Sequence, residues 1–194
     1  MIKDRKEFNR QETQKHIRSV FFSLYKEKGI DAVSVNEICK EAGIAKSTFY
    51  FYFDDKYSVL EAIENDLLEG LKGLVEDIHG VDIGLVSRGL PIDGAEPIVV
   101  FIKENMDEFK VILGPKGDAS FESRWRQNIS RKFMELFIKE MTKSANPGLS
   151  CSIFSSALIG AYRYFIFDKP DTPVEDVAVI IGNTYKYALM DFQK

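Results

Sequence analysis

Residues Ser47 to Phe53 read STFYFYF: five aromatics in seven positions, with no charge, glycine or proline. By propensity such a run is a strand, and left exposed it would pair with other copies of itself. Its flanks favour a helix. Upstream, Ser34 and Glu37 in SVNE have the S-x-x-E spacing of a capping box, which starts a helix at Val35. Gly43 breaks that helix after about two turns and supplies the positive φ that a tight turn requires. Ile44 follows, placed to plug the space beneath the turn. Downstream, DDK (Asp54–Lys56) opens another helix, capped by Asp54 or Asp55. Between these signals a short helix runs from Lys46 through STFYFYF. Phe49 and Phe53, four apart, then share an inward face, and Tyr50 stands about 100° round from Phe49. Two short helices joined by a glycine turn make a helix-turn-helix. Here the motif is VNEICKEAGIAKSTFYFYF, with Cys39 or Ala42 as the small residue where the helices meet.

Outward from the motif the helical period continues. Ile17, Val20, Phe21, Leu24 and Tyr25 repeat at helical spacing over Gln11–Lys28, and Gly29 stands where such a helix ends. After the motif, Val59, Leu60, Ile63, Leu67, Leu68, Leu71 and Val75 give a long apolar stripe ending near His79-Gly80. GVDIGLVSRGLPIDGAEP, residues 80–97, is rich in glycine and proline and reads as an irregular connection. Four more helical stretches follow, near 96–112, 119–143, 149–167 and 173–192, separated by GPKGD, ANPG and DKPDTP. No internal repeat is visible. The expected fold is all-α with about nine helices. A three-helix N-terminal domain spans 1–54 and a larger helical domain 55–194, with helix 55–79 connecting them.

The 194 residues suit one domain, or a small domain fused to a larger one, and 45% apolar residues suffice for a packed core. The net charge of −4 is unevenly spread: residues 1–56 hold 11 Lys/Arg against 9 Asp/Glu, and the first 18 hold six basic groups against three acidic ones. A locally basic end can meet a polyanion even on an acidic protein, because exposed charges act over roughly 10 Å at 0.1 M salt. Charge alone does not distinguish this from a solvated helix face. Without a secretory signal or an apolar run long enough to span a membrane, the expected setting is cytoplasmic. There Cys39 and Cys151 would be reduced, buried, small apolar residues. His16 and His79 have no partner at metal-ligand spacing, and no Ser-His-Asp or Cys-His arrangement is visible. Glu76-Asp77 and Asp107-Glu108 read as solvated faces. Neither an enzyme nor a metal or cofactor site is expected.

The segment from Arg10 to about Leu68 resembles the DNA-binding domain of the tetracycline-repressor (TetR) family of bacterial transcription regulators. HIRSVFFSLYKEKGIDAVSVNEICKEAGIAKSTFYFYFDDKYSVLEAI carries the likeness, over roughly a third of the chain. VILGPKGDASF is similar to a stretch in a subset of these regulators; it lacks the ending of a phosphate-binding loop. The chain departs from the family pattern at Ala45, where Ser often caps the recognition helix, so Ser47 or backbone N–H groups must compensate. Val20 and Phe21 replace small alanines, and Cys39 replaces another.

The resemblance implies that the helix from Lys46 enters the DNA major groove. Lys46, Ser47 and Thr48 would approach base edges or phosphates, and Tyr50, Tyr52 and Lys56 would hold the backbone. Ser34 would present its hydroxyl and a helix start to phosphate, or act purely as a cap. Arg5, Lys6 and Arg10 would add contacts from an N-terminal arm. It also implies a pocket for an unknown small-molecule effector in the aromatic-rich larger domain. Trp125, Arg126, Tyr162 and Arg163 are the candidates, since arginine beside aromatics suits an anionic organic ligand. Helices 149–167 and 173–192 would pair with their copies in a homodimer. The expected function is a homodimeric repressor of double-stranded operator DNA, released by an effector. The alternative is a coregulator of the same fold that acts through protein contacts without DNA.

Overall fold

The structure, a computed structural model, describes the backbone of residues 2–76, 95–141 and 146–190, and the side chains within 8–76, 95–135 and 146–184. Among the described residues there are nine α-helices and no strand. Contacts divide the chain into an N-terminal unit, Met1–Leu67 with Gly114–Gly117, and a C-terminal unit, Leu68–Leu113 with Asp118–Lys194.

In the N-terminal unit, α1 (Ile2–Lys28) begins nine residues earlier than the apolar period indicates, so the basic N-terminal segment is helical. Ile17, Phe21 and Tyr25 form its buried stripe, with Val20 and Leu24 half-buried. Gly29 ends the helix at φ 83°, and its N–H returns to the Tyr25 carbonyl. A 3-10 turn, Ile30–Ala32, leads into α2 (Val35–Glu41). Gly43, at φ 64°, makes the turn to α3 (Lys46–Tyr52). Ile44 plugs that turn only in part, being half-buried. His16 reaches from α1 to the Ala42 carbonyl at 3.1 Å, tying the end of α2 to α1. Asp55 and Ser58 cap α4 (Lys56–Glu76) reciprocally, side chain to backbone N–H, at 2.8 and 3.2 Å. Glu64 is a buried carboxylate on α4 that the apolar stripe does not announce. The short segment Gly114–Gly117 belongs to this unit, where Tyr25 donates its hydroxyl to the Lys116 carbonyl.

The C-terminal unit begins within α4. The expected helix over 96–112 is two helices, α5 (Ala95–Glu104) and α6 (Met106–Ile112). The break falls at Asn105, whose side-chain amide donates to the Phe101 carbonyl at 2.8 Å, a local bond that competes with helix continuation. Then come α7 (Ala119–Met141), α8 (Pro147–Arg163), a π-helical turn (Tyr164–Asp168) and α9 (Val174–Met190). Asn146 caps α8 by accepting from the Leu149 N–H, and Pro147 fits the first helical position. The core joins Phe109, Phe121, Trp125, Phe133, Phe154, Leu158 and Phe165.

Against expectation, Pro147–Asp168 is long and apolar enough to cross a membrane by length and composition. Here one face of it, with Cys151, Phe154, Ser155, Leu158, Ile159 and Tyr162, is buried, and the helix packs on α7 and α9. The connection expected over 80–97 is helical from Ala95; the rest of it, His79 and the end of the connecting helix lie outside the described residues.

Two glycines on α4 respond oppositely to a side chain. A Cβ at Gly70 would lie 2.5 Å from the Phe101 ring, whereas one at Gly73 meets nothing within 4 Å. Gly70→Ala must push the Phe101 ring off the edge of Phe109 and should cost about 1–3 kcal/mol. Gly73→Ala should gain about 0.5–1 kcal/mol from helix propensity. Thermal unfolding of the two variants beside the parent measures both; midpoints moving in the same direction would contradict the assignment.

Candidate nucleic-acid interface and effector cleft

The surface of α3 is what remains after its anchors are placed. Phe49 is fully buried and Phe53, just past the helix, is 8% exposed; the two rings meet at 6.0 Å. Lys46, Ser47 and Tyr50 are exposed, and Thr48 and Tyr52 are half-buried. Tyr50 packs its ring edge-on against Phe49 at 5.5 Å. Phe51 is exposed, and the Arg10 guanidinium lies over its ring at 5.6 Å, so a cation sits beside the outer face of α3. Side chains of Arg5 and Lys6 lie outside the described residues. Ala45 occupies the N-cap and makes no side-chain bond.

Ser34 is exposed and accepts from the Glu37 N–H at 3.3 Å, so it is a cap. The Glu37 carboxylate takes a hydrogen bond from Lys28, and that bond foremost, with a smaller contribution from the Ser34 backbone N–H, holds its pKa below the ordinary carboxylate range. This contribution to stability is present above about pH 4.5, the ordinary value, and is lost as pH falls through the lowered one.

Lys56 behaves differently from an exposed lysine. Its ammonium donates to the carbonyls of Ile30, Asp31 and Val33 at 2.7, 3.3 and 2.9 Å. An ammonium has three protons, and all three are directed to the turn between α1 and α2. Burial pushes the Cys39 and Cys151 thiols up, away from reactive thiolate character.

In the C-terminal unit the four candidate effector residues separate into two pairs. Trp125 and Tyr162 are buried and stacked at 5.2 Å, within an aromatic cluster that includes Phe109 and Phe121. Arg126 and Arg163 both turn to Glu122, at 3.5 and 3.1 Å, and Arg163 also donates to the Leu113 carbonyl. Both guanidiniums share the one Glu122 carboxylate, and neither is among the residues that line the cleft beside Trp125 and Tyr162. That cleft is shallow and partly open to solvent, and lies among Leu71, Val75, Ile98, Ile129, Lys132 and Leu158. It continues outward past Lys72, Asn128 and Arg131. Trp125, Asn128, Ile129 and Lys132 are three or four apart on α7, so their shared face was readable from spacing; of the four, the sequence reading singled out only Trp125.

Comparison with known proteins places these features in a family. The model described as "Bacterial regulatory proteins, tetR family" matches residues 21–63, and that described as "Transcriptional regulator C-terminal region" matches 91–187. An HTH-type transcriptional regulator of Bacillus subtilis, YvdT, is 44% identical over 164 residues, covering 77% of this chain and 80% of its own. A second from that organism, YxbF, is 24% identical over 98 residues, half of this chain and a quarter of its own length. The crystal structure of a TetR transcriptional regulator from Streptococcus agalactiae superposes with a TM-score of 0.63 at 20% identity, over 98% of this chain and 97% of that one.

The Lys56 geometry separates stability from surface chemistry. Lys56→Met would take the ammonium from three carbonyls, of which only that of Ile30 keeps a second donor among the described residues, the Val33 N–H, and should lower stability by about 1–3 kcal/mol. Tyr50→Ala, at an exposed position, should change it by about 0.5 kcal/mol or less. Denaturant titrations compare the two, and a Lys56→Met protein as stable as its parent would show that the turn does not depend on the ammonium.

Proposed function

Because the chain belongs to the TetR family of bacterial regulatory proteins, we propose that this helix-turn-helix transcriptional regulator is a cytoplasmic, homodimeric repressor released from operator DNA by a small molecule. The division of α3 carries this reading. Phe49 and Phe53 hold the helix to its unit, and Lys46, Ser47 and Tyr50 are left facing outward at one short helix. Those are the residue types that meet phosphates and base edges, and a helix of that width enters a major groove. The reading head is residues 1–54, and residues 55–194, entered through helix 55–79, serve effector binding and dimerisation. Lys46, Ser47 and Thr48 read or approach the bases. Tyr50 and Tyr52 contact the backbone, Ser34 serves it from the start of α2, and Lys56 acts mainly by fixing the turn before α2. Trp125 and Tyr162 form the inner wall of the effector cleft; Arg126 and Arg163 brace it through Glu122.

The chain should bind a two-fold symmetric duplex with half-sites about 34–36 Å apart. Log affinity should fall linearly with log salt, steeply enough to count several displaced counterions. Lys46→Ala and Thr48→Ala should change sequence preference, and Tyr50→Ala should weaken all sequences alike. Electrophoretic shifts on the DNA upstream of its own gene, run over a salt series, test this. A flat salt response would favour the coregulator reading.

For the dimer, exposure along the last helices selects the contact face. Leu149, Ile153, Gly160 and Tyr164 form one exposed row on α8 and its π-turn, and Val179 and Ile180 are exposed on α9. Phe154, Leu158, Phe165 and Ile181 are buried in the protomer itself, so they do not serve the interface. Small residues in the outward row, Ser156, Ala157 and Gly160, allow close helix approach. Sedimentation of Ile153→Asp and Gly160→Asp should give folded monomers with lowered affinity for full-length operator. Ile181→Asp should unfold the unit instead. Folded dimers for both surface variants would move the interface elsewhere.

A further inference from the structure

The cleft of the C-terminal unit is lined mainly by apolar side chains and by the stems of basic ones. Leu71, Val75, Ile98, Ile129, Phe133 and Leu158 surround the aromatic wall of Trp125 and Tyr162. Lys72, Arg131 and Lys132 stand at the outer part, with Glu76 as the carboxylate among those lining residues. Two of the three cations are already answered one turn away: Lys72 pairs with Glu69 at 3.1 Å and Arg131 with Glu135 at 2.8 Å. Lys132 is half-buried, borders both the inner and the outer part, and makes no ion pair within 4 Å among the described residues. That ammonium stands beside an apolar wall with no carboxylate within 4 Å among the described residues. An anion arriving there would supply the counter-charge through a charge-assisted hydrogen bond. A cation would meet the like charge of Lys132, and a neutral apolar molecule would leave that charge without a partner.

We propose that the effector is an amphipathic organic anion. Its carboxylate pairs with Lys132, and its apolar body lies along Ile129 toward Trp125 and Tyr162. The proposal rests on the reading of this cleft as the effector site and adds the chemical class of its ligand. Lys132 is then the residue that sets specificity, while apolar contact supplies most of the affinity.

Trp125 is the only tryptophan in the sequence and lines the cleft, so its fluorescence reports occupancy directly. The probes are octanoate, octanol and octylammonium for an aliphatic body, and 3-phenylpropanoate, 3-phenylpropanol and 3-phenylpropylammonium for an aromatic one. In each set the carboxylate should bind about tenfold or more tighter than the alcohol, and the ammonium weakest. Which carboxylate binds tighter distinguishes the aliphatic from the aromatic source. Lys132→Gln should erase the preference for the carboxylate and leave the alcohol's affinity unchanged; Lys132→Arg should retain the preference. The proposal is overturned if the alcohols match the carboxylates in the parent protein, if the preference survives Lys132→Gln, or if no probe alters Trp125 emission. The same compounds added to the operator complex test release separately. Carboxylates that bind through Lys132 yet leave operator affinity unchanged would sink effector release and keep the ligand class. Neutral compounds that release DNA equally from parent and Lys132→Gln would do the reverse.

Discussion

A seven-residue helix is not stable in water by itself, because nucleation costs more than so few hydrogen bonds return. The recognition helix α3 is such a helix, and its first turn has no side-chain cap. It persists because Phe49 and Phe53 are buried, each worth about 1.5–3 kcal/mol of apolar transfer. That constraint organises the rest of the N-terminal unit. Gly43 must turn the chain with positive φ so that α3 lies on α2. His16 and Lys56 then fasten backbone carbonyls at the end of α2 and in the turn before it. With the anchors inside, the aromatic stretch leaves Tyr50 and Phe51 outside, where Arg10 covers the second.

The C-terminal unit answers a different problem, that of holding a wall rigid beside a space. Trp125 is packed between Phe109 and Tyr162, with ring centroids at 5.4 and 5.2 Å, so its position is set from two sides. Arg163 and Arg126 both engage Glu122, and Arg163 adds the Leu113 carbonyl, which joins the end of α8 to the start of α7 and the end of α6. A guanidinium suits this use because its planar fork can serve a carboxylate and a carbonyl together. The wall is therefore preorganised, and a ligand need not spend its binding free energy on ordering it.

Much of this was readable from residue spacing, and what was missed has a common cause. The capping serine, both turn glycines, the burial of Phe49 and Phe53, and the Asp55 cap are local signals within a few residues, where periodicity and turn chemistry act directly. Lys56 finds carbonyls 23 to 26 residues away, and Arg163 finds Glu122 41 residues away. No window of sequence contains either pair, so both cations looked available for a ligand. The break at Asn105 went unread because it uses neither glycine nor proline, only an amide returning to the carbonyl four residues back. The cleft face of α7 was within reach: Trp125, Asn128, Ile129 and Lys132 keep strict helical spacing. Attention to arginine beside aromatics picked out Arg126, next to Trp125 in sequence but not among the residues that line the cleft.

The cations show why composition alone misjudges function. In the N-terminal unit Lys28 is taken by Glu37, Arg18 by Asp66 and Lys56 by backbone carbonyls. Lys46 and Lys40 stay exposed with no ion pair among the described residues, and Arg10 lies over the Phe51 ring. In the C-terminal unit Lys72 and Arg131 each have a carboxylate, Arg126 and Arg163 share Glu122, and Lys132 has none within 4 Å among the described residues. A paired surface charge contributes little to a distant anion, since its partner cancels its field beyond a few ångströms. The charges that can meet a phosphate or a carboxylate are those that the fold leaves unanswered. On that basis the α3 side of the first unit and the mouth of the cleft in the second attract anions, although the chain as a whole is acidic.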